Sequence, residues 1–264
     1  CTQGNSGAAC HNYAYLLENG LGEPKNLAAA RDYYSRGCVR NSYESCEQYG
    51  RFLMYGIGGA QDDTKARASS LTACYGGQPN ACYNAALLHE LGRGGAKDPM
   101  TARVAYENGC KNNEIRSCTS MSYYAVNGIG GSKDETAART YAEKACNANN
   151  ARGCEYLGIY LTLGQGGAID LIRARTASET ACNANVFGAC AHLSYLLMGN
   201  RGGTPDEYRA RTFALKGCNG GDAVGCSNYG VLLNGGRGGS QDIELARAYF
   251  KRACDLGKKE ACQF

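Results

Sequence analysis

Tryptophan is absent from the 264 residues, and proline and methionine each occur only 4 times and histidine 3 times. No apolar stretch approaches the ~20 residues that span a bilayer as a helix, so a transmembrane segment is excluded. There is no run of like charge. The 28 basic residues nearly balance the 24 acidic ones, for a formal charge of +4. A balance this even points to neither nucleic acid nor an anionic membrane as partner. No C-x-x-C occurs, which removes thioredoxin-like exchange and covalent haem attachment. No N-x-Ser/Thr sequon occurs, so heavy glycosylation is excluded and a bacterial source is favoured.

What is present is cysteine (16), glycine (37) and tyrosine (19). The cysteines fall at 1, 10, 38, 46, 74, 82, 110, 118, 146, 154, 182, 190, 218, 226, 254 and 262. From Cys10 onward, the second member of each pair recurs every 36 residues, and from Cys38 the first member does so too. A fixed period of this size marks a repeat architecture. Within pairs the spacing is C-x7-C, with one residue more between Cys1 and Cys10. An even, ordered set of this kind points to an oxidising compartment. The pairs read as disulfides across a short connector: Cys1–Cys10, Cys38–Cys46, Cys74–Cys82, Cys110–Cys118, Cys146–Cys154, Cys182–Cys190, Cys218–Cys226 and Cys254–Cys262. Closing a loop of about nine residues contributes at most about 2.5 kcal/mol in the chain-entropy model.

Aligned on the second cysteine, each copy has the same plan. The first half has apolar or small residues three, four, six and seven positions on, as in Tyr13, Ala14, Leu16 and Leu17. That is one face of a helix. A Gly-rich turn follows, such as Gly56-Ile57-Gly58-Gly59. Then comes a strong N-cap, Asn26 or Asp at 62, 98, 134, 170, 206 and 242. Ala follows four residues later, and a second helix runs to the next cysteine. The connector to the following helix is read as 39–45. The repeats are thus 10–45, 46–81, 82–117, 118–153, 154–189, 190–225 and 226–261, with partial units at both ends of one solenoid domain, 1–264. One hairpin cannot bury its apolar faces alone, and stacking hides them.

These residues resemble the Sel1-like repeat family, a relative of the tetratricopeptide repeats. The copy at 154–182 carries Leu157-Gly158, Gly164, Gly166, Asp170 and Ala174 of the family pattern. Cysteines at both ends of the connector are similar to those of the Helicobacter cysteine-rich branch. Two features depart from the family: the doubled glycine of the turn, and an arginine in every copy. The resemblance implies an all-α, right-handed α/α superhelix with a concave groove, and mostly adaptor functions. Some cysteine-rich members are described as penicillin-binding with weak β-lactamase activity. Other relatives assist respiratory-complex assembly or act as immunity proteins.

Each candidate chemistry meets a plainer reading. C-x7-C at fixed period keeps cysteine pairs apart, so no metal site is expected, and no cofactor. His11, His89 and His192 sit at different phases of the repeat. His89-Glu90 fails as H-E-x-x-H because position 93 is Arg. The S-x-x-K and K-T-G motifs of serine β-lactamases are missing. The chain is therefore expected not to be an enzyme, with a penicillin-binding protein as an alternative.

Two sets of residues remain. Arg31, Arg67, Arg103, Arg139, Arg175, Arg211 and Arg247 form a ladder. Each guanidinium is expected to tie down carbonyls of the Gly-rich turns; a basic stripe for an anionic partner is the other reading. The groove, by analogy with related repeats, is lined at positions one, five and eight after the second cysteine. Position five varies from copy to copy while its neighbours stay fixed, which suits recognition of a protein or peptide. The groove candidates are Tyr15, Arg51, Tyr83, Tyr123 and Tyr195, and an ordinary solvated face is the alternative. A secreted or periplasmic location is expected. Cys1 has a second reading as a lipidated N-terminus, although its near-register spacing to Cys10 favours the disulfide. Both ends fall inside the repeat, which leaves open an extracellular filament built head to tail.

Overall fold

The computed structural model describes Cys1 and residues 6–264. Fourteen helices and no strand occur among them. They form two compact units, Cys1–Lys133 and Asp134–Phe264. The first holds α1 (Gly7–Asn19), α2 (Leu27–Val39), α3 (Tyr43–Tyr55), α4 (Asp63–Tyr75), α5 (Pro79–Leu91), α6 (Pro99–Lys111) and α7 (Ile115–Asn127). The second holds α8 (Glu135–Asn147), α9 (Ala151–Leu163), α10 (Leu171–Asn183), α11 (Phe187–Leu197), α12 (Glu207–Asn219), α13 (Ala223–Asn234) and α14 (Ile243–Asp255), then a 3-10 turn at Lys259–Gln263. Within the units α1 packs on α2, α3 on α4, α5 on α6, α9 on α10, α11 on α12 and α13 on α14, the helix pairs of an all-α solenoid.

The second helix of every pair starts where its Asn or Asp accepts a backbone N–H from three residues on. Asn26 caps α2 in this way, and Asp62, Asp98, Asp134, Asp170, Asp206 and Asp242 cap the even helices that follow. The first helix starts three residues earlier than the cysteine alignment places it, so the connector is shorter than 39–45. Its caps are Ser42, Glu114, Asn150 and Asp222, whereas Gln78 and Val186 make no side-chain cap bond. The cap residue changes from copy to copy, which hides the helix start from an alignment on cysteine. Just before it, Asn41, Asn113, Asn149 and Asn185 take positive φ, and Gly77 and Gly221 do so in their copies. Asn and Gly are the residues that visit this region cheaply.

Cysteine pairs bridge these connectors. All eight disulfides join Cα atoms 4.3 to 5.0 Å apart, and no free cysteine remains among the described residues.

The core is thin and relies on aromatic side chains set against small residues. Tyr34, Phe52 and Tyr106 are wholly or almost wholly buried. Position four of the first helix is small because the second helix lies on it. A Cβ on Gly50 would stand 2.6 Å from Ser70 Oγ, and one on Gly230 would stand 2.8 Å from the Phe250 ring.

The arginine ladder joins neighbouring pairs. Arg67 Nη1 donates to Ala96 O at 2.8 Å, Arg103 to Ile129 O at 3.1 Å, Arg139 to Ala168 O at 2.8 Å and Arg211 to Ser240 O at 3.0 Å. Arg175 reaches five carbonyls, those of Leu196, Gly199, Arg201, Gly203 and Thr204. Each acceptor lies in the Gly-rich turn, or the helix end before it, of the following pair. Arg31 lies against Gly59, with its Nη1 buried and without a hydrogen bond. Arg247 pairs with Glu244 at 3.2 Å. In the first copy the doubled glycine is replaced by Glu23, which accepts from Tyr13 Oη at 3.1 Å.

Candidate binding site

The groove candidates lie on first helices, α1, α3, α5, α7 and α11. Tyr15 is 51% exposed, Tyr123 46% and Tyr195 42%. The residues flanking them on the same helices, such as Ala14, Tyr124 and Leu196, are buried. In these three copies the variable position is exposed beside a buried one.

Tyr15 and Arg51 come together in one cleft of about 270 Å³, lined also by His11, Glu18, Asn19, Tyr34 and Gln48. Glu18 joins two other residues of its lining. One carboxylate oxygen accepts from Tyr34 Oη at 2.7 Å, and the other accepts from Arg51 Nη2 at 2.6 Å. Arg51 Nε donates to Gln48 Oε1 at 2.8 Å, so the guanidinium is tied to both α1 and α3. Burial, reinforced by the bond to Glu18, keeps the Tyr34 hydroxyl protonated far above its ordinary range. The His11 ring lies 5.5 Å from that of Tyr34. Its Nδ1 is buried and has no hydrogen-bond partner. Burial lowers the His11 pKa, and Glu44 and Glu18 oppose that shift.

Tyr83, Tyr123 and Tyr195 do not share this cleft. Arg116 covers the Tyr83 ring at 4.1 Å, and Tyr106 lies 5.9 Å from it. Arg201 covers Tyr195 at 4.0 Å. Position-by-position reading missed Glu18 and Tyr34. Their signal was the coupling between them: Glu90 and Tyr106 stand sixteen residues apart, as Glu18 and Tyr34 do, and make the same hydrogen bond at 2.5 Å.

The histidines are dispersed. His89 contacts Arg67 Nε at 3.2 Å and faces Asp98 at 3.7 Å. His192 is held between Ser178 Oγ at 2.8 Å and Thr162 Oγ1 at 3.1 Å. Ser178 has no solvent exposure, so this serine–histidine contact is a core bond closed to a substrate. No group of His, Cys, Asp and Glu fit for a metal ion occurs among the described residues.

The Sel1 repeat model matches residues 7–38, 44–68, 79–109, 115–150, 188–222 and 223–258. This chain belongs to the Sel1 repeat family. The match stops before Ser69-Ser70 and skips the copy at 151–187, where Ala177-Ser178 stands in place of the Tyr33-Tyr34 pair of the first copy. The helix pair itself is intact there, as α9 and α10. Solved Sel1-type structures are similar in fold. One is a protective antigen of uropathogenic Escherichia coli with an SLR fold, at TM-score 0.85 and 19% identity, covering 97% of this chain and 55% of that one. The chain thus spans about half the length of that antigen. Another is a Sel1 repeat protein from Oxalobacter formigenes, at TM-score 0.69 and 18% identity, covering 98% and 75%. Helicobacter pylori cysteine rich protein B shares 27% identity over 50% of this chain and 94% of its own, at TM-score 0.40. A search of curated proteins returned no match. Sel1 repeats typically mediate protein interactions and are generally non-catalytic scaffolds. No helix among the described residues is long and apolar enough to cross a membrane.

Proposed function

We propose that this chain is a scaffold that binds a protein or peptide through the exposed faces of its first helices, in an oxidising compartment such as the periplasm or the extracellular space. The observation that carries the reading is the pattern at position five. Tyr123 and Tyr195 are exposed between buried neighbours, Ser122 and Tyr124, and Ser194 and Leu196, while Tyr15 is exposed beside buried Ala14. Tyrosine offers amphipathic contact area at low entropic cost, which suits recognition. The disulfides support the compartment, since such bonds persist where thiols are not kept reduced. A catalytic reading has no comparable support, because the serine beside a histidine is fully buried.

Selection of displayed random peptides on the disulfide-intact protein tests the reading. Peptides selected this way should lose binding to Tyr123→Ala or Tyr195→Ala and keep it for Tyr208→Ala, an exposed residue on second helix α12. Peptides that respond equally to all three, or no enrichment at all, would overturn it.

A further inference from the structure

We infer that the cleft among α1, α2 and α3 is a receptor for one cationic side chain, a lysine or an arginine, supplied by the partner. This rests on the scaffold reading above and gives the partner a chemical requirement.

Three aromatic rings, those of His11, Tyr15 and Tyr34, line the cleft together with one carboxylate, Glu18. A carboxylate has about four lone-pair sites. Glu18 uses one for Tyr34 and one for Arg51, so acceptor capacity remains for an incoming N–H. The Tyr15 ring, half exposed at the edge, offers a π face to a cation. His11 Nδ1 is a further buried position with no hydrogen bond.

Charge decides between a cation and an anion. Arg51 is the resident cation of the lining. Against it stand Glu18, and Glu44 and Glu47 beside the cleft on α3; Glu44 and Glu18 both act on His11, and Glu44 and Arg51 both act on Glu47. Burial favours the neutral imidazole of His11 and pushes the Glu47 carboxyl up, and Glu18 and Glu44 alone still outweigh Arg51. An anion would meet these carboxylates to reach Arg51. A cation would complete the spare capacity of Glu18 while Arg51 stays on Gln48 and Phe52.

The experiment titrates the full 264-residue chain with N-acetyl-arginine amide, with its neutral isostere N-acetyl-citrulline amide and with N-acetyl-aspartate amide. The readout is the NMR signal of the His11 ring. The arginine compound should give a saturable shift, weakened by added salt. Citrulline and aspartate should bind at least about ten-fold more weakly, the loss expected when a charge-assisted bond is replaced or opposed. Glu18→Gln should weaken the arginine compound by about the same factor, and Tyr15→Ala by several-fold. Because Glu18 bonds two neighbours and its variant risks unfolding, exposed Tyr15 supplies the second arm, with circular dichroism melting as the folding check. An arginine shift that citrulline reproduces, a preference for aspartate, or a response unchanged in Tyr15→Ala would overturn the proposal. If displayed peptides bind at Tyr123 and Tyr195 but no cation binds here, this inference falls and the scaffold reading stands. If the cation binds and no peptide is selected, the scaffold reading falls instead.

Discussion

The guanidinium of Arg67 occupies the space that a side chain on Gly95 would fill: a Cβ there would lie 2.8 Å from Arg67 Nη1. The same nitrogen donates to the carbonyl of the adjoining Ala96 at 2.8 Å. Arg103 and Gly131, Arg139 and Gly167, Arg175 and Gly203, and Arg211 and Gly239 repeat the contact. The doubled glycine and the invariant arginine, which look like two separate departures from the family pattern, are therefore one device. The arginine of one pair caps the turn of the next, and the extra glycine lets it in.

Arg67 and Gly95 should consequently be coupled. Gly95→Ala displaces the guanidinium, the flexible end of its side chain, and is expected to cost about 0.5–1.5 kcal/mol, the worth of the Ala96 hydrogen bond given up. Arg67→Ala leaves the Ala96 carbonyl to find another donor and should cost about 1–2 kcal/mol. In the double variant the alanine methyl no longer meets the guanidinium, so the sum should not be reached. Urea unfolding of the four proteins in a double-mutant cycle measures this. Strict additivity would show that the contact carries no weight.

A second coupling lies at the connectors. The Phe187 ring covers Gly220 so closely that a Cβ would fall within it, and Tyr43 covers Gly76 in the same way. Both glycines have ordinary negative φ, so the constraint comes from the ring alone. Gly220→Ala is expected to destabilise by about 1–3 kcal/mol. Adding Phe187→Ala should recover part of that loss, because the smaller side chain frees the space. Thermal melts of the single and double variants check the sign, and a further drop in the double variant would contradict it.

How far the sequence reveals this molecule depends on the range of the signal. The period of 36, the helix pairs and the cysteine spacing are visible because each copy repeats a local rule: an N-cap at Asp62 or Asp98, a glycine at Gly56 or Gly92 that ends the helix with positive φ. Tyr15 and Arg51 were legible as candidates, since they vary at one position of a fixed frame. The cleft between them was not. It depends on Glu18 reaching both Tyr34, sixteen residues away, and Arg51, thirty-three residues away. Such contacts cross between helices, and a copy-by-copy alignment compares equivalent positions and not the pairs that touch. The arginine–glycine device was half legible for the same reason: each member was noticed, and only the stacking joins them.

Removing one staple tests how much the frame relies on disulfides. Cys182 and Cys190 close a short loop between α10 and α11, and both are buried. Replacing both by alanine should lower stability by about 2.5 kcal/mol through chain entropy, with a further loss from the packing of two buried sulfurs. Hydrogen exchange should then rise first at the ends of these two helices. Exchange that rises uniformly along the chain would show that the staple acts on global stability and not on its own joint.

Acid should weaken the fold in a window set by His192. Burial lowers its pKa from 6.5 to about 4, and the hydrogen bonds to Ser178 and Thr162 hold the neutral ring. The unfolded chain takes up this proton near pH 6.5, while the folded chain resists it until about pH 4. Between those values the unfolded state binds more protons, so stability rises with pH. The contribution is complete above pH 6.5, declines as pH falls through the window and is lost below about pH 4. At one unit per 1.36 kcal/mol it amounts to about 3 kcal/mol at most. His11 and His89, whose pKa values are also lowered by burial, act in the same direction. Asp62, Asp63 and Asp98 hold lowered pKa values through hydrogen bonds, so their losses come at more acid pH, below the His192 window. The comparison that isolates His192 is urea stability at pH 7 and pH 4.5 for the wild-type chain and for His192→Gln, whose amide can still bond Ser178 or Thr162 but does not titrate. The variant should lose markedly less stability between the two pH values than the wild type. Equal losses would assign the acid sensitivity to the other groups and leave His192 without a part in it.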